Sequence, residues 1–380
     1  MNVFSTAGSH RMCAIHRRRL RTAAIISAAP AWPTARILAQ FLALLLAAAW
    51  LGAMTMPSNA SAAELDSERP SWRERLQARR DARIGVGPQH AVSDTILPPG
   101  DHSFTLRHQG LKRQYRIHVP VSYTPGAPPR PLVMAFHGGG GNMNIQADDR
   151  YYGLISQSER SGTLLVFPNG YSRLPSGGLA TWNAGLCCGP AQEKDIDDVG
   201  FVRAVLADVR QRLPFDPDRV FAIGMSNGAM LSYRLACEMA DTFRAVAAVA
   251  GTDVTQARCQ PTRPVSVLHL HARDDDHVSF NGGAGSASRV QVDFTSVPDT
   301  VNKWVAINAC PATPKTVLSI PGARCEVYSG CRDGAAVQLC TTDTGGHSWP
   351  GGTKPLGGQP GSHAISANEV IWAFFGIAER

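Results

Sequence analysis

The chain has 380 residues, 44% apolar and 18% charged, a composition that excludes intrinsic disorder, collagen and coiled coil. Its 37 Lys+Arg against 30 Asp+Glu give a net charge of +7, but six arginines (11, 17, 18, 19, 21 and 36) and no acid fall within residues 1–62. The remainder carries 31 basic and 30 acidic residues, so the excess positive charge belongs to the N-terminal segment and nucleic acid is not an expected partner.

That segment reads as a secretory leader with a long basic n-region. Ile37–Met56 is an uncharged apolar stretch, and Ala60-Ser61-Ala62 supplies a small-residue cleavage site before Ala63. An uncleaved anchor is the competing reading, because the run is nearly long enough to span a bilayer. Arg17-Arg18-Arg19-Leu20 hints at a twin-arginine signal but lies far from the apolar run. The expected location is secreted or periplasmic, with no stable membrane association once the leader is removed. Residues 63–99 follow as an Arg-rich spacer and a Pro/Gly linker, and 100–380 as a single domain.

Within that domain, apolar strands are expected at 113–119, 131–137, 162–167, 219–223, 245–250 and 265–271. Helices are expected at about 197–212, 227–240, 299–309 and 366–376, the last opening on a Ser366-x-x-Glu369 capping box. Alternating strands and helices predict an α/β fold with a mostly parallel central sheet flanked by helices. Asp197 and Asp198 are expected as helix caps.

Eight cysteines lie outside the leader: 187, 188, 237, 259, 310, 325, 331 and 340. An even number in an exported chain points to disulfides. Folding 325–330 against 335–341 about the turn-like Cys331–Gly334 places Cys325 opposite Cys340. Cys310–Cys331 and Cys237–Cys259 are then the long-loop pairings, leaving Cys187 and Cys188 as a vicinal bridge or two thiols. Zinc competes poorly, since no CxxC is present.

Three motifs carry chemistry. Gly224-Met225-Ser226-Asn227-Gly228 is a G-x-S-x-G between an expected strand and an expected helix. There Ser226 is the candidate nucleophile, and the Asn227 N–H a candidate oxyanion donor. The strand 264–271 runs into Asp274-Asp275-Asp276, three candidate orienting acids. Gly345-Gly346-His347 sets a candidate base in a glycine-rich loop before the last helix, completing the chain order Ser…Asp…His. His277 and His363 are weaker rivals, while His269 and His271 lie within an apolar strand. Phe136-His137-Gly138-Gly139-Gly140-Gly141-Asn142 follows an early strand and fits an oxyanion loop. It lacks the Lys-Ser/Thr of a phosphate loop and the spacing of a dinucleotide loop. His269-x-His271 with Asp274 and His277 approaches a two-metal HxHxDH motif, but Arg273 and Asp274 stand where Asp and His are needed. No metal or cofactor is expected. Trp182 and Trp349 are candidates to line an acyl pocket, against plain packing.

In family order the chain carries HGGGGN, FPNG at 167–170, W-N-x-G-x-C-C-G at 182–189, D-D-V-G-F at 197–201, G-M-S-N-G-A at 224–229 and G-G-H-S-W-P-G-G at 345–352. With the H-x-R-x-D-x-x-V stretch at 271–278, this resembles the secreted polyhydroxybutyrate depolymerase/feruloyl esterase family of α/β-hydrolases over roughly 100–380. The resemblance implies that Asp275 is the acid, although Ala272, Arg273, Ser279 and Phe280 depart from the family pattern and leave Asp274 and Asp276 open. It also implies Gly139 as the second oxyanion donor. The expected function is a monomeric serine carboxylesterase, acting on hydroxycinnamoyl esters or on short hydroxybutyrate esters. An acyltransferase and an inert binding protein on the same fold are the alternatives.

Overall fold

The computed structural model describes residues 96–255, 259–355 and 360–379. The expected leader, and all of the spacer before residue 96, lie outside the described residues.

Ten strands form among the described residues, the central ones where short apolar runs are buried on both faces. In chain order they are β1 (Gly100–His108), β2 (Leu111–Val119), β3 (Arg130–Phe136), β4 (Leu164–Pro168), β5 (Phe215–Met225) and β6 (Ala245–Val249). Then come β7 (Ser266–Ala272), β8 (Lys315–Ile320), β9 (Ala323–Tyr328) and β10 (Val337–Thr342). The helices are α1 (Met143–Gln146), α2 (Leu154–Ser161), α3 (Gly189–Glu193), α4 (Asp198–Arg212), α5 (Asn227–Glu238), α6 (Val297–Ile307) and α7 (Ala367–Phe374). Among the described residues one sheet has the order β1-β2-β4-β3-β5-β6-β7-β10-β9-β8. Its centre, from β4 to β10, is parallel, and β1, β2, β9 and β8 extend the two edges as antiparallel strands.

The pleat sorts side chains into two cores. Leu132, Met134 and Phe136 of β3, with Ala222 of β5 and Val246 of β6, pack with Val202, Leu231, Tyr233 and Trp304 from α4, α5 and α6. Their neighbours Val133, Ala135, Ile223 and Ala247 face Leu154, Ile371 and Trp372 from α2 and α7 on the other side. Alternation of period two within wholly apolar strands is what a sheet covered on both faces requires. Burying a Leu- or Phe-sized side chain contributes roughly 1.5–3 kcal/mol each.

The expected caps form in part. Ser366 accepts the Glu369 N–H at the start of α7, and Asp197 accepts the Gly200 N–H at the start of α4. Asp198 departs from expectation: it is fully buried, takes a 2.6 Å ion pair from Arg113 and accepts the Asn183 N–H. Its carboxylate braces the loop before α4 rather than capping the helix. All four cysteine pairings are present, with Cys187–Cys188 as a vicinal bridge. Cys340 pairs directly with Cys325 in the β9–β10 register. Cys310–Cys331 ties the loop between those strands to the end of α6. That loop is longer than the expected tetrapeptide turn, because a 3-10 turn at Arg332–Gly334 is inserted in it.

Candidate active site

The sharp turn from β5 to α5 is enforced by crowding. A Cβ on Gly224 would overlap the Gly228 backbone, and one on Gly228 would overlap the Phe136 carbonyl. With both positions glycine, Ser226 sits alone at the turn with φ 55° and ψ −119°, outside the regions ordinary residues prefer. Its N–H donates to Val249 O at 2.8 Å and its carbonyl accepts the Met230 N–H at 3.0 Å. Two fixed hydrogen bonds therefore hold a strained residue whose Oγ projects from the C-terminal end of the sheet.

The loop after β10 brings His347 to that hydroxyl. His347 Nε2 lies 2.8 Å from Ser226 Oγ, and its Nδ1 lies 2.8 Å from Asp275 Oδ2 and 3.1 Å from Oδ1. Asp275 follows β7 in a tight turn, where Oδ1 also accepts the N–H groups of His277 at 2.8 Å and Val278 at 2.9 Å. Burial works against its ionisation, but hydrogen bonds from His271 and His347 outweigh it and hold the carboxyl well below the usual carboxylate range. An ionised Asp275 accepts from His347 Nδ1–H, which leaves Nε2 as the acceptor for the serine proton.

On the opposite side, the His137–Gly141 loop passes beside the serine: a Cβ on Gly138 would touch Ser226 Cβ at 3.6 Å, and one on Gly139 would touch Asn227 Cβ at 3.5 Å. The Gly139 N–H has no backbone partner among the described residues. The Asn227 N–H is the first of α5 and has no intrahelical acceptor. Both are thus available to an oxyanion. The Asn227 side chain is committed elsewhere, accepting Trp182 N–H at 2.7 Å and donating to Trp182 O at 3.0 Å.

Of the three acids, the structure brings Asp275 to His347. Asp274 instead accepts the Gly346 N–H at 2.8 Å, and Asp276 pairs with His277 at 2.6 Å. Of the rival histidines, His363 is exposed, and His277 stacks on the His347 ring with centroids 4.7 Å apart. Asp275, His277 and His347 could each offer a ligand atom within 4.8 Å of the others. Those of Asp275 and His347 are already each other's hydrogen-bond partners, so a cation there would have to break that pair. Of the two roles expected for the tryptophans, the structure shows packing. Trp182 is fully buried, donates from Nε1 to His137 O at 3.0 Å and meets Phe136 edge-on. Trp349 is 2% exposed, donates to Asn368 Oδ1 and meets Tyr152 edge-on. Their bulk is spent bracing the two loops from beneath rather than on a wall open to substrate.

Known proteins similar in sequence to this chain carry esterase names. The chain is 32% identical over 245 residues to "Feruloyl esterase B" of Piromyces equi, covering 62% of this chain and 42% of that protein's length. It is 30% identical over 279 residues to "Putative esterase NocK" of Nocardia uniformis subsp. tsuyamanensis, covering 68% of this chain and 77% of that one. The chain belongs to the feruloyl esterase family of α/β-hydrolase carboxylic ester hydrolases. "Probable feruloyl esterase C" of Aspergillus oryzae is a further relative, 29% identical over 70% of this chain and 85% of its own. No family model matches.

In this feruloyl esterase family member, three side chains support the site in roles that the sequence did not assign to them. His137 is buried and accepts the Gly170 N–H at Nε2, while Nδ1 donates to Gly138 O at 2.8 Å. Burial pushes its pKa down to about 4, so the ring is neutral at neutral pH. Asp274 ties the loop of His347 to the end of β7, and Asn169 of the FPNG motif accepts the Met143 N–H at 2.8 Å beyond the glycine loop. The signal for Asp274 and Asn169 was their place beside catalytic-type motifs; which atoms they hold is set by loops distant in sequence.

Proposed function

We propose that the chain is an exported serine carboxylesterase that cleaves hydroxycinnamoyl, feruloyl-type esters by two-step acyl transfer through Ser226, His347 and Asp275. The observation that carries this reading is the unbroken line Ser226 Oγ–His347 Nε2/Nδ1–Asp275, standing on a strained elbow beside two available backbone N–H groups. His347 Nε2 takes the serine proton as Oγ attacks the ester carbonyl, and Asp275 holds the resulting imidazolium. The N–H groups of Gly139 and Asn227 receive the carbonyl oxygen as it becomes negative, where losing one donor costs on the order of a hundredfold in kcat. Collapse transfers the proton from His347 to the departing alcohol. Water, deprotonated by the same nitrogen, then releases the acid and restores Ser226. No step calls for a metal or an organic cofactor.

The acyl group is argued from the relatives, two of them named feruloyl esterases. Export is argued from the leader motif and from four disulfides, which persist outside the reducing cytosol. A panel of methyl ferulate, acetylated sugar esters and hydroxybutyrate oligomers tests the assignment. Wild type is expected to hydrolyse methyl ferulate best, with the rate abolished by Ser226→Ala. Hydrolysis confined to hydroxybutyrate oligomers would overturn the acyl assignment, and full activity of Ser226→Ala would overturn the nucleophile.

A further inference from the structure

Two histidines of the rejected metal motif remain unexplained by the reaction. His269 and His271 are buried on β7, their rings stacked with planes 6° apart. Burying polar rings where apolar ones would pack costs desolvation unless every nitrogen is paired. Here every nitrogen is. Tyr233 Oη lies 2.6 Å from His269 Nδ1, His269 Nε2 lies 3.0 Å from His271 Nδ1, and His271 Nε2 lies 2.9 Å from Val278 O. That last nitrogen is also 3.3 Å from Asp275 Oδ2, the oxygen that accepts from His347.

The proton order follows from the chain's end. A carbonyl and a carboxylate can only accept, so His271 Nε2 carries hydrogen. With His271 neutral, its Nδ1 accepts, and His269 Nε2 must donate. With His269 neutral, as its complete burial favours, its Nδ1 accepts in turn and Tyr233 Oη–H donates. Every donor points the same way, toward Asp275. The chain also joins two elements of the site: Tyr233 stands two turns into α5, the helix that begins beside Ser226, while Asp275 ends the segment after β7.

We propose that Tyr233, His269 and His271 form a one-directional hydrogen-bond chain that positions Asp275, and through it His347, relative to the helix carrying Ser226. The three are positioning residues, and their role in turnover rests on the esterase reading above. His271 Nε2–H, which donates to Val278 O, also reaches Asp275 Oδ2 at 3.3 Å, so the carboxylate is contacted from two sides. Tyr233 and His269 fix the tautomer that makes His271 a donor there.

The test uses the intact protein with p-nitrophenyl acetate and four variants: Tyr233→Phe, His271→Gln, His271→Leu, and Tyr233→Phe combined with His271→Leu. His271→Leu removes a hydrogen bond to a charged group and is expected to lower kcat about tenfold with KM unchanged. His271→Gln keeps an N–H at the same reach and is expected to recover most of that loss. Tyr233→Phe is expected to lower kcat roughly threefold, with no further loss in the His271→Leu background, because a broken chain has nothing left to transmit. Unchanged kcat in Tyr233→Phe and His271→Leu, whatever the change in melting temperature, would show a packing role only and overturn the proposal. Losses that add in the double variant would overturn it too. Histidine side-chain nitrogen NMR reads the chain independently of turnover: His269 and His271 are expected as Nε2–H tautomers, and Nδ1–H on either ring overturns the proton order. An inert wild type with those tautomers would overturn the esterase reading and the role in turnover while leaving the hydrogen-bond chain standing.

Discussion

The two halves of the site are built from different materials. On the acid side, β7 and the His347 loop deliver charged and polar side chains, and Asp275 is held by two backbone N–H groups and two imidazoles. On the oxyanion side, the β3 loop and the start of α5 offer only backbone N–H groups, and the side chains there serve as buttresses: Trp182 beneath His137 O, Asn227 clamped on Trp182 and His137 on Gly170. A site made of side chains is disabled by altering a functional group. A site made of backbone is disabled by moving a loop, and the residues that matter are buried ones out of reach of substrate.

The largest effect expected from this contrast is on the acid side. Asp275→Asn retains an oxygen for the His277 and Val278 N–H groups but turns an NH2 toward His347, which favours the tautomer with hydrogen on Nε2. Steady-state kinetics should show kcat reduced on the order of ten-thousandfold with the fold intact. Asp274→Asn keeps an acceptor for the Gly346 N–H and should stay within about twofold of wild type. Equal losses in both would dissolve the distinction between them.

Next in size is an effect of acid on the buttress of the oxyanion side. His137 is neutral in the fold, with a pKa near 4, and free to protonate once unfolded, where histidine titrates near 6.5. Its folded-state value is depressed, so its stabilising contribution is complete above about pH 6.5 and is lost as pH falls toward 4. The shift corresponds to about 3 kcal/mol. Denaturant midpoints should fall across that window, and less steeply in His137→Gln, whose amide oxygen can still accept the Gly170 N–H. His269, also buried and depressed, adds loss in the same direction. A midpoint independent of pH between 7 and 4.5 would contradict this.

The smallest expected effect separates buttress from pocket. Trp182→Phe keeps most of the buried ring but removes the N–H that holds His137 O. It should lower kcat about tenfold and leave KM for methyl ferulate unchanged, measured by initial rates. A raised KM with kcat unchanged would restore Trp182 to the substrate pocket.

Much of this was legible in the sequence because the decisive constraints are local. Gly224 is required by the backbone of Gly228 and Ala229 within five residues, although Gly228 is required by the distant Phe136 carbonyl, and the glycine loop and His347 loop announce themselves by composition. The strands of the parallel centre show as apolar runs because both faces are covered. Edge strands gave less. β8 is exposed along most of its length and carries no apolar run. β1 alternates instead of running apolar, and its clue was a two-residue turn, Gln109-Gly110, with φ 47° and 80° between alternating segments. Asp275 could not be told from Asp274 and Asp276 by the residues alone, because the choice depends on how one turn meets a loop 72 residues away. The tryptophans stayed open between two roles for a related reason: an indole two residues from the base, or inside a family motif, is equally placed to face substrate or to prop the loop from behind.

The central claim is that Ser226 is the activated nucleophile, and its most direct measurement is intact-protein mass after treatment with a fluorophosphonate. Wild type should gain a single phosphonyl adduct, mapped by peptide sequencing to Ser226, with ester hydrolysis lost in step. Labelling that persists undiminished in Ser226→Ala, or hydrolysis that continues in fully labelled protein, would contradict the account.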